Sequence, residues 1–77
     1  MPLVQPHHNL EIPEGHQSIE VTVVENQNQI GAFRITFQNG ASQQTTLSPA
    51  QVKRVKLFGE SVIFNNIEDT VLNVRFM

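Results

Sequence analysis

The feature that most constrains this chain is a period-two alternation of apolar and polar residues, which begins at Ser18 and recurs as far as the C-terminus. Such alternation is typical of a strand with one buried face, because successive side chains of a strand point to opposite faces. It is clearest at residues 19–23, 33–37 and 72–76. Turn signals separate these segments at intervals of about 8–12 residues, a spacing that favours a sandwich or barrel over βαβ units. The sequence therefore predicts an all-β fold.

The predicted architecture is a small single-domain sandwich or barrel of five to six short antiparallel strands in a meander. A chain of 77 residues leaves no room for a second domain. Turns are predicted at Asn26–Asn28 and at Asn39-Gly40, where Asn-Gly favours a type I′ hairpin, and residues 43–47 are predicted to pair back as a further strand. The residues predicted to face the core are Ile19, Val21, Val23, Phe33, Ile35, Phe37, Val55, Leu57, Val62, Phe64, Leu72, Val74 and Phe76.

Residues 48–58 permit two interpretations. Ser48, followed by Pro49 and by Gln51 three positions on, matches a capping box that would begin a helix running to Phe58. Gly59-Glu60 lies instead between two strand-like quartets, which is the pattern of a type II′ hairpin. We favour the hairpin, with at most one short helical turn near residues 49–53.

Residues 1–17 differ from the rest of the chain. They contain three of the four prolines and all three histidines, and they show no sustained alternation. We predict that they form an extended N-terminal arm, with one short strand around residues 10–12, ahead of a small β domain at residues 18–77.

The arm contains the only group of residues whose types suit a zinc or nickel site. The three histidines have no helical i, i+4 spacing on a clear element, so we predict neither a metal nor any other cofactor. The candidate ligands are His7, His8, His16, Glu11 and Glu14.

The composition also argues against an enzyme. The absence of cysteine excludes disulfides and cysteine-based metal sites, and the isolated glycines form no phosphate-binding loop. No pair of carboxylates or His–Ser pair has a partner that would tune it for catalysis. No apolar run approaches the ~18 residues of a membrane span, and the first residues do not resemble a signal peptide. We therefore expect a non-enzymatic, cytoplasmic protein with no small-molecule substrate.

Basic residues suggest one possible partner. The chain has five Lys and Arg residues against seven Asp and Glu residues, and three of the five fall at residues 53–56. On the predicted strand phases four of these five residues point away from the core, namely Arg34, Arg54, Lys56 and Arg75. Phe58 shares the outward phase of Arg54 and Lys56. Cations beside an aromatic ring suit single-stranded RNA or DNA, because cations contact phosphates and the ring stacks on a base. The candidate nucleic-acid-binding residues are Arg34, Lys53, Arg54, Lys56, Phe58 and Arg75.

The run from Val55 to Ile63, with Lys56 and Gly59-Glu60, resembles a hairpin of the tryptophan-responsive RNA-binding attenuation proteins. That resemblance implies a small all-β subunit that assembles into rings and binds RNA at basic strand edges. It covers nine of the 77 residues, and Phe58 stands where the family would have a basic residue. The resemblance is confined to this run.

Apolar residues on the outward phase support a different function. If such residues cluster on one face, they expose more apolar surface than a monomer usually tolerates. The candidate interface residues are Val24, Phe58, Ile63, Val71 and Met77. The sequence therefore predicts a protein-interaction or structural assembly module, which associates with itself as a homo-oligomer or with another protein. The alternative is a single-stranded nucleic-acid-binding domain that uses the basic outer face.

Overall fold

The computed structural model of the protein describes residues 3–24 and 29–77, and the predicted turn at Asn26–Asn28 lies outside them. The described chain forms strands, turns and loops, and its secondary structure includes no helix. The strands are β1 (Leu3–Val4), β2 (Asn9–Ile12), β3 (Ser18–Val23), β4 (Gly31–Phe37), β5 (Ser42–Leu47), β6 (Val52–Lys56), β7 (Val62–Asn66) and β8 (Leu72–Phe76). The predicted all-β class is confirmed.

The strands form two antiparallel four-stranded sheets. The first sheet has the order β1-β8-β3-β6, and the second has the order β2-β7-β4-β5. This is a jelly-roll order, in which most connections cross from one sheet to the other. Of the strands described, β4 and β5 are the one pair that is consecutive in sequence and hydrogen-bonded. The predicted meander of five to six strands is therefore wrong in strand number and in order, because alternation fixes a strand's buried face and not its neighbour.

The two sheets share one hydrophobic core. Every predicted core residue is buried except Phe37 and Phe76, which are partly buried and pack against the core. At its centre the rings of Phe33 and Phe64 stack with their centroids 5.1 Å apart. The buried apolar residues that alternation did not identify are Val4, Ile12, Ala32 and Leu47.

The N-terminal residues are part of this sandwich. β1 pairs with β8 and β2 pairs with β7, and Val4 and Ile12 are buried in the shared core. The buried Asn66 side chain donates to the carbonyl oxygens of Val4 (3.0 Å) and Thr70 (2.6 Å), which ties β1 to the β7–β8 loop. The predicted short strand at residues 10–12 is confirmed, but residues 3–12 do not form a separate arm. Their strands are too short for a period to be visible in the sequence.

The β4–β5 hairpin is confirmed, but its turn is not of type I′. A type I′ turn needs positive φ at both central residues, and only Gly40 has one here, at 88°. The Gly40 amide donates to the Phe37 carbonyl (3.0 Å), and the Phe37 amide donates to the Ala41 carbonyl (2.8 Å). The loop is therefore the three-residue type that ends with a glycine in the left-handed conformation.

Residues 48–61 contain neither the predicted helix nor the predicted hairpin. Pro49 and Ala50 form a turn closed by the Gln51 amide and the Ser48 carbonyl (3.0 Å), after which β6 pairs with β3. A second turn, closed by the Glu60 amide and the Leu57 carbonyl (3.0 Å), connects β6 to β7. Since those two strands belong to different sheets, this turn is a crossing and not a hairpin. No helix in the described residues is long and apolar enough to cross a bilayer.

Candidate interaction surface

The predicted basic residues lie on two opposite faces of the sandwich. Arg54 and Arg75 are exposed and lie in the same cross-strand row of the first sheet, on either side of β3. Arg34 is also exposed, but it lies on β4 in the second sheet, where it donates to Gln44 on β5 (3.1 Å). The outward phase of these residues is confirmed, yet they do not share a face. The alternation along a strand indicates whether a residue faces the core or the solvent. It does not indicate to which of the two sheets the strand belongs.

A carboxylate lies between the two cations of the first sheet. Glu20 on β3 is opposite both Arg54 and Arg75, with oxygen–nitrogen distances of 2.7 and 3.7 Å. The hydrogen bond from Arg54 holds the pKa of Glu20 below its usual range, and the charges of both arginines act in the same direction against the desolvation that raises it. The outer face of the first sheet is therefore partly neutralised.

The edge strands β5 and β6 line a cleft of about 480 Å³. Polar residues occupy three of its inward-facing positions: Gln43 and Thr45 share the phase of buried Leu47, and Lys53 shares the phase of Val55, which is buried and also lines the cleft. Its lining includes three cations and, within the described part of the chain, no carboxylate. The lining residues are Phe37, Gln43, Thr45, Lys53, Arg54, Val55, Lys56 and Phe58. We call this edge of the sandwich, formed by β5 and β6, the open side.

Phe58 lies at the end of the open side, in a backbone conformation that phenylalanine rarely adopts. Its φ is 56°, that of Gly59 is 76°, and its side chain is 71% exposed. Positive φ in a bulky residue is strained, and such strain is often retained at sites that bind something. The turn is held by two hydrogen bonds between Gly59 and the β2–β3 loop, at 2.9 Å to Gly15 and 3.2 Å to His16. The ring is thus presented to solvent on a fixed backbone.

The other predicted interface residues do not form one surface with Phe58. Val24 and Val71 are half-buried neighbours joined by a backbone hydrogen bond of 3.2 Å. Ile63 is half-buried on the outer face of the second sheet, in a shallow pocket of about 420 Å³. Met77, which follows β8 and is hydrogen-bonded to Ser18, lies at the same end of the sandwich as Phe58. Of this set, Phe58 alone lines the open side.

Three exposed large apolar residues of the described chain were not predicted from the sequence: Ile30 precedes β4, and the other two belong to the first sheet. Leu3 on β1 is 55% exposed and Val52 on β6 is 58% exposed. They stand at the two ends of one cross-strand row of the first sheet, in which Leu3 is opposite Asn73, Asn73 is opposite Thr22, and Thr22 is opposite Val52. Val52 has the outward phase of Arg54 and could have been identified from the sequence, whereas Leu3 lies in a strand of two residues.

Two exposed acidic residues lie on the edge opposite the open side. This edge is formed by β1, β2 and the β7–β8 loop, which contacts the β1–β2 turn. We call it the closed side, because Val4 and Ile12 fill its interior. Glu11 is exposed on β2, and exposed Asp69 contacts the β1–β2 turn through a 2.7 Å hydrogen bond with His7. The closed side thus carries two carboxylates, one of them bonded to His7, whereas three cations line the open side.

The candidate metal ligands of the N-terminal residues do not come together. The described residues contain no group of three His, Cys, Asp or Glu side chains placed to hold a metal ion. His7 contacts Asp69, and the ring of His16 packs on Phe76 with centroids 4.6 Å apart. Comparison with known proteins adds no constraint, since neither a protein-family model nor a curated protein sequence matches this chain.

Proposed function

We propose that this protein is a non-enzymatic assembly module that associates with copies of itself through the open side. The observation that carries the proposal is the cleft between β5 and β6, in which polar residues hold three inward-facing positions and Phe58 is exposed at the end. A sandwich that functioned as a monomer would gain stability from apolar residues at the inward positions of these strands. Here Gln43, Thr45 and Lys53 occupy those positions.

The backbone of the edge strands supports the same proposal. Among the strands of residues 3–24 and 29–77, β5 and β6 each pair on one side only, within β4–β5 and β3–β6 respectively. The other side of such a strand presents amide and carbonyl groups that can pair with another chain. Proteins commonly use this capacity to add a strand from a partner, with backbone hydrogen bonds supplying the affinity.

Single-stranded nucleic acid is the second candidate partner. The cleft brings Lys53, Arg54 and Lys56 together with Phe58, which is the combination of cations and an aromatic ring that such ligands need. Three features weigh against it. The net charge of the chain is −2, and Arg54 forms an ion pair with Glu20. Arg34 and Arg75, the other predicted contacts, do not line the cleft.

Sedimentation velocity over a range of protein concentrations tests the proposal. We expect discrete oligomers in the wild type and a shift toward monomer in Phe58→Asn, because the exposed ring would be lost from the interface. The matched control is Ile30→Asn, which removes an apolar residue that is 64% exposed and lies outside the open side. A wild type that stays monomeric at every concentration would refute self-association.

Titration with labelled single-stranded RNA and DNA distinguishes the second candidate. Binding that weakens steeply as salt is added, and that disappears in the double variant Lys53→Glu, Lys56→Glu, would favour a nucleic-acid partner, because phosphate contacts release counterions. We expect no binding at physiological salt. The matched control for this titration is Arg34→Glu, on the opposite face.

A further inference from the structure

We infer that copies of this chain associate head to tail, the open side of one copy meeting the closed side of the next; this inference rests on the proposed self-association. The partner of the open side is then a second copy in the same orientation. Such an interface is heterologous, so that repetition gives a ring if the rotation closes and a filament if it does not.

Charge favours this arrangement over a two-fold dimer. In a two-fold contact between open sides, Lys53, Arg54 and Lys56 of one copy would face the same cations of the other. Like charges on facing strands repel. In the head-to-tail contact these cations approach the side that carries Glu11 and Asp69.

Strand direction permits the same arrangement in both sheets. Each sheet contains four strands and every neighbouring pair is antiparallel, so the two edge strands of one sheet run in opposite directions. Placed beside β1 of an identically oriented copy, β6 is therefore antiparallel to it. The same holds for β5 and β2 in the second sheet. The same placement of the second copy therefore adds an antiparallel strand to each of the two sheets.

The exposed apolar residues match across this contact. Leu3 and Val52 end one cross-strand row of the first sheet. When the row continues into the next copy, Val52 becomes the neighbour of that copy's Leu3. Both side chains are more than half exposed in the single chain, and the contact would cover them together.

Two variants that each damage one side provide the test. Val52→Asp brings a carboxylate to the open side, and Leu3→Asp brings one to the closed side; burying either charge against an apolar neighbour is unfavourable. Both positions are exposed, so the fold should survive, which circular dichroism checks for each variant. One variant is labelled with ¹⁵N, and native mass spectrometry then distinguishes mixed from unmixed species.

We expect each variant alone to be monomeric and an equimolar mixture to form a one-to-one heterodimer that grows no further. In that heterodimer the intact open side of Leu3→Asp meets the intact closed side of Val52→Asp. The control variant Ile30→Asp should assemble like the wild type. An oligomer lost in Val52→Asp but kept in Leu3→Asp, or the reverse, would indicate a two-fold interface and overturn the inference. Assembly that persists in both variants would overturn it as well, whereas a monomeric wild type would refute the proposed function itself.

Discussion

The two edges of the sandwich have the same arrangement of strands but differ in the side chains at their inward positions. Each consists of one edge strand from each sheet, β1 with β2 on the closed side and β5 with β6 on the open side. On the closed side Val4 and Ile12 are buried and seal the core. On the open side the corresponding inward positions hold Thr45 and Lys53 around a cleft.

This difference separates positions that stabilise the single chain from positions available to a partner. Burial of an aliphatic side chain contributes about 1.5–3 kcal/mol to folding, and the closed side collects that contribution from two very short strands. The open side obtains that contribution at Leu47 and Val55, but polar groups occupy its other inward positions and Phe58 is exposed at its end. The closed side is therefore part of the fold, and the open side is the better candidate for binding.

The largest expected effect is on the closed side. Ile12→Ala should lower the free energy of unfolding by about 2–5 kcal/mol, because Ile12 is 1% exposed and its loss leaves a cavity in the core. Thr45→Ala, the matched change on the open side, should lie within about 0.5 kcal/mol of the wild type. Urea denaturation measures both. Equal effects would abolish the distinction between the two sides.

The next effect concerns how β1 is attached to the closed side. Asn66→Ala removes a buried amide that donates to the Val4 and Thr70 carbonyls, which are then left without that donor. We expect a loss of about 1–3 kcal/mol in the free energy of unfolding. Asn65→Ala, a neighbouring residue on the outer face of β7, serves as the control and should change little. If the two variants unfold alike, β1 is not held by Asn66.

On the open side, one substitution should increase stability. Phe58→Asn should raise the free energy of unfolding by about 1 kcal/mol, because asparagine tolerates positive φ and phenylalanine does not. Thermal unfolding at a concentration where the wild type is monomeric measures this. Destabilisation would mean that the ring packs within the single chain, contrary to its exposure.

Much of the core was predictable from the sequence, and the site was not. Alternation identifies buried residues such as Val21 and Phe64 because it depends on local geometry alone. The jelly-roll order depends on which strands meet across the molecule, and no local pattern encodes that. Because of this strand order, Arg34 and Arg54 lie on different sheets, and β5 and β6 line one cleft. The strained backbone at Phe58 could not be predicted, because the sequence of its turn resembles that of a hairpin.

The smallest effect is electrostatic and lies on the outer face next to the open side. The pKa of Glu20 is lowered by Arg54, so its contribution to stability is fully present above the unfolded-state pKa and is lost as pH falls through the folded-state pKa. The difference in stability between the wild type and Glu20→Gln should therefore shrink on acidification. Paired denaturation curves at several pH values measure it. In an Arg54→Gln background the pH dependence of that difference should be weaker, and an unchanged dependence would assign the shift to another group.

The most direct test of association through the open side is a dilution series followed by ¹H–¹⁵N correlation spectra, which report on each backbone amide separately. We expect concentration-dependent shifts that cluster on the edge strands of both sides, at residues such as Val52, Lys53 and Leu3, and at Phe58. Amides at the centre of the outer face of the second sheet, such as those of Arg34 and Asn65, should stay constant. Shifts confined to that face, or spectra that do not change with concentration, would contradict the assignment of the open side as the binding side.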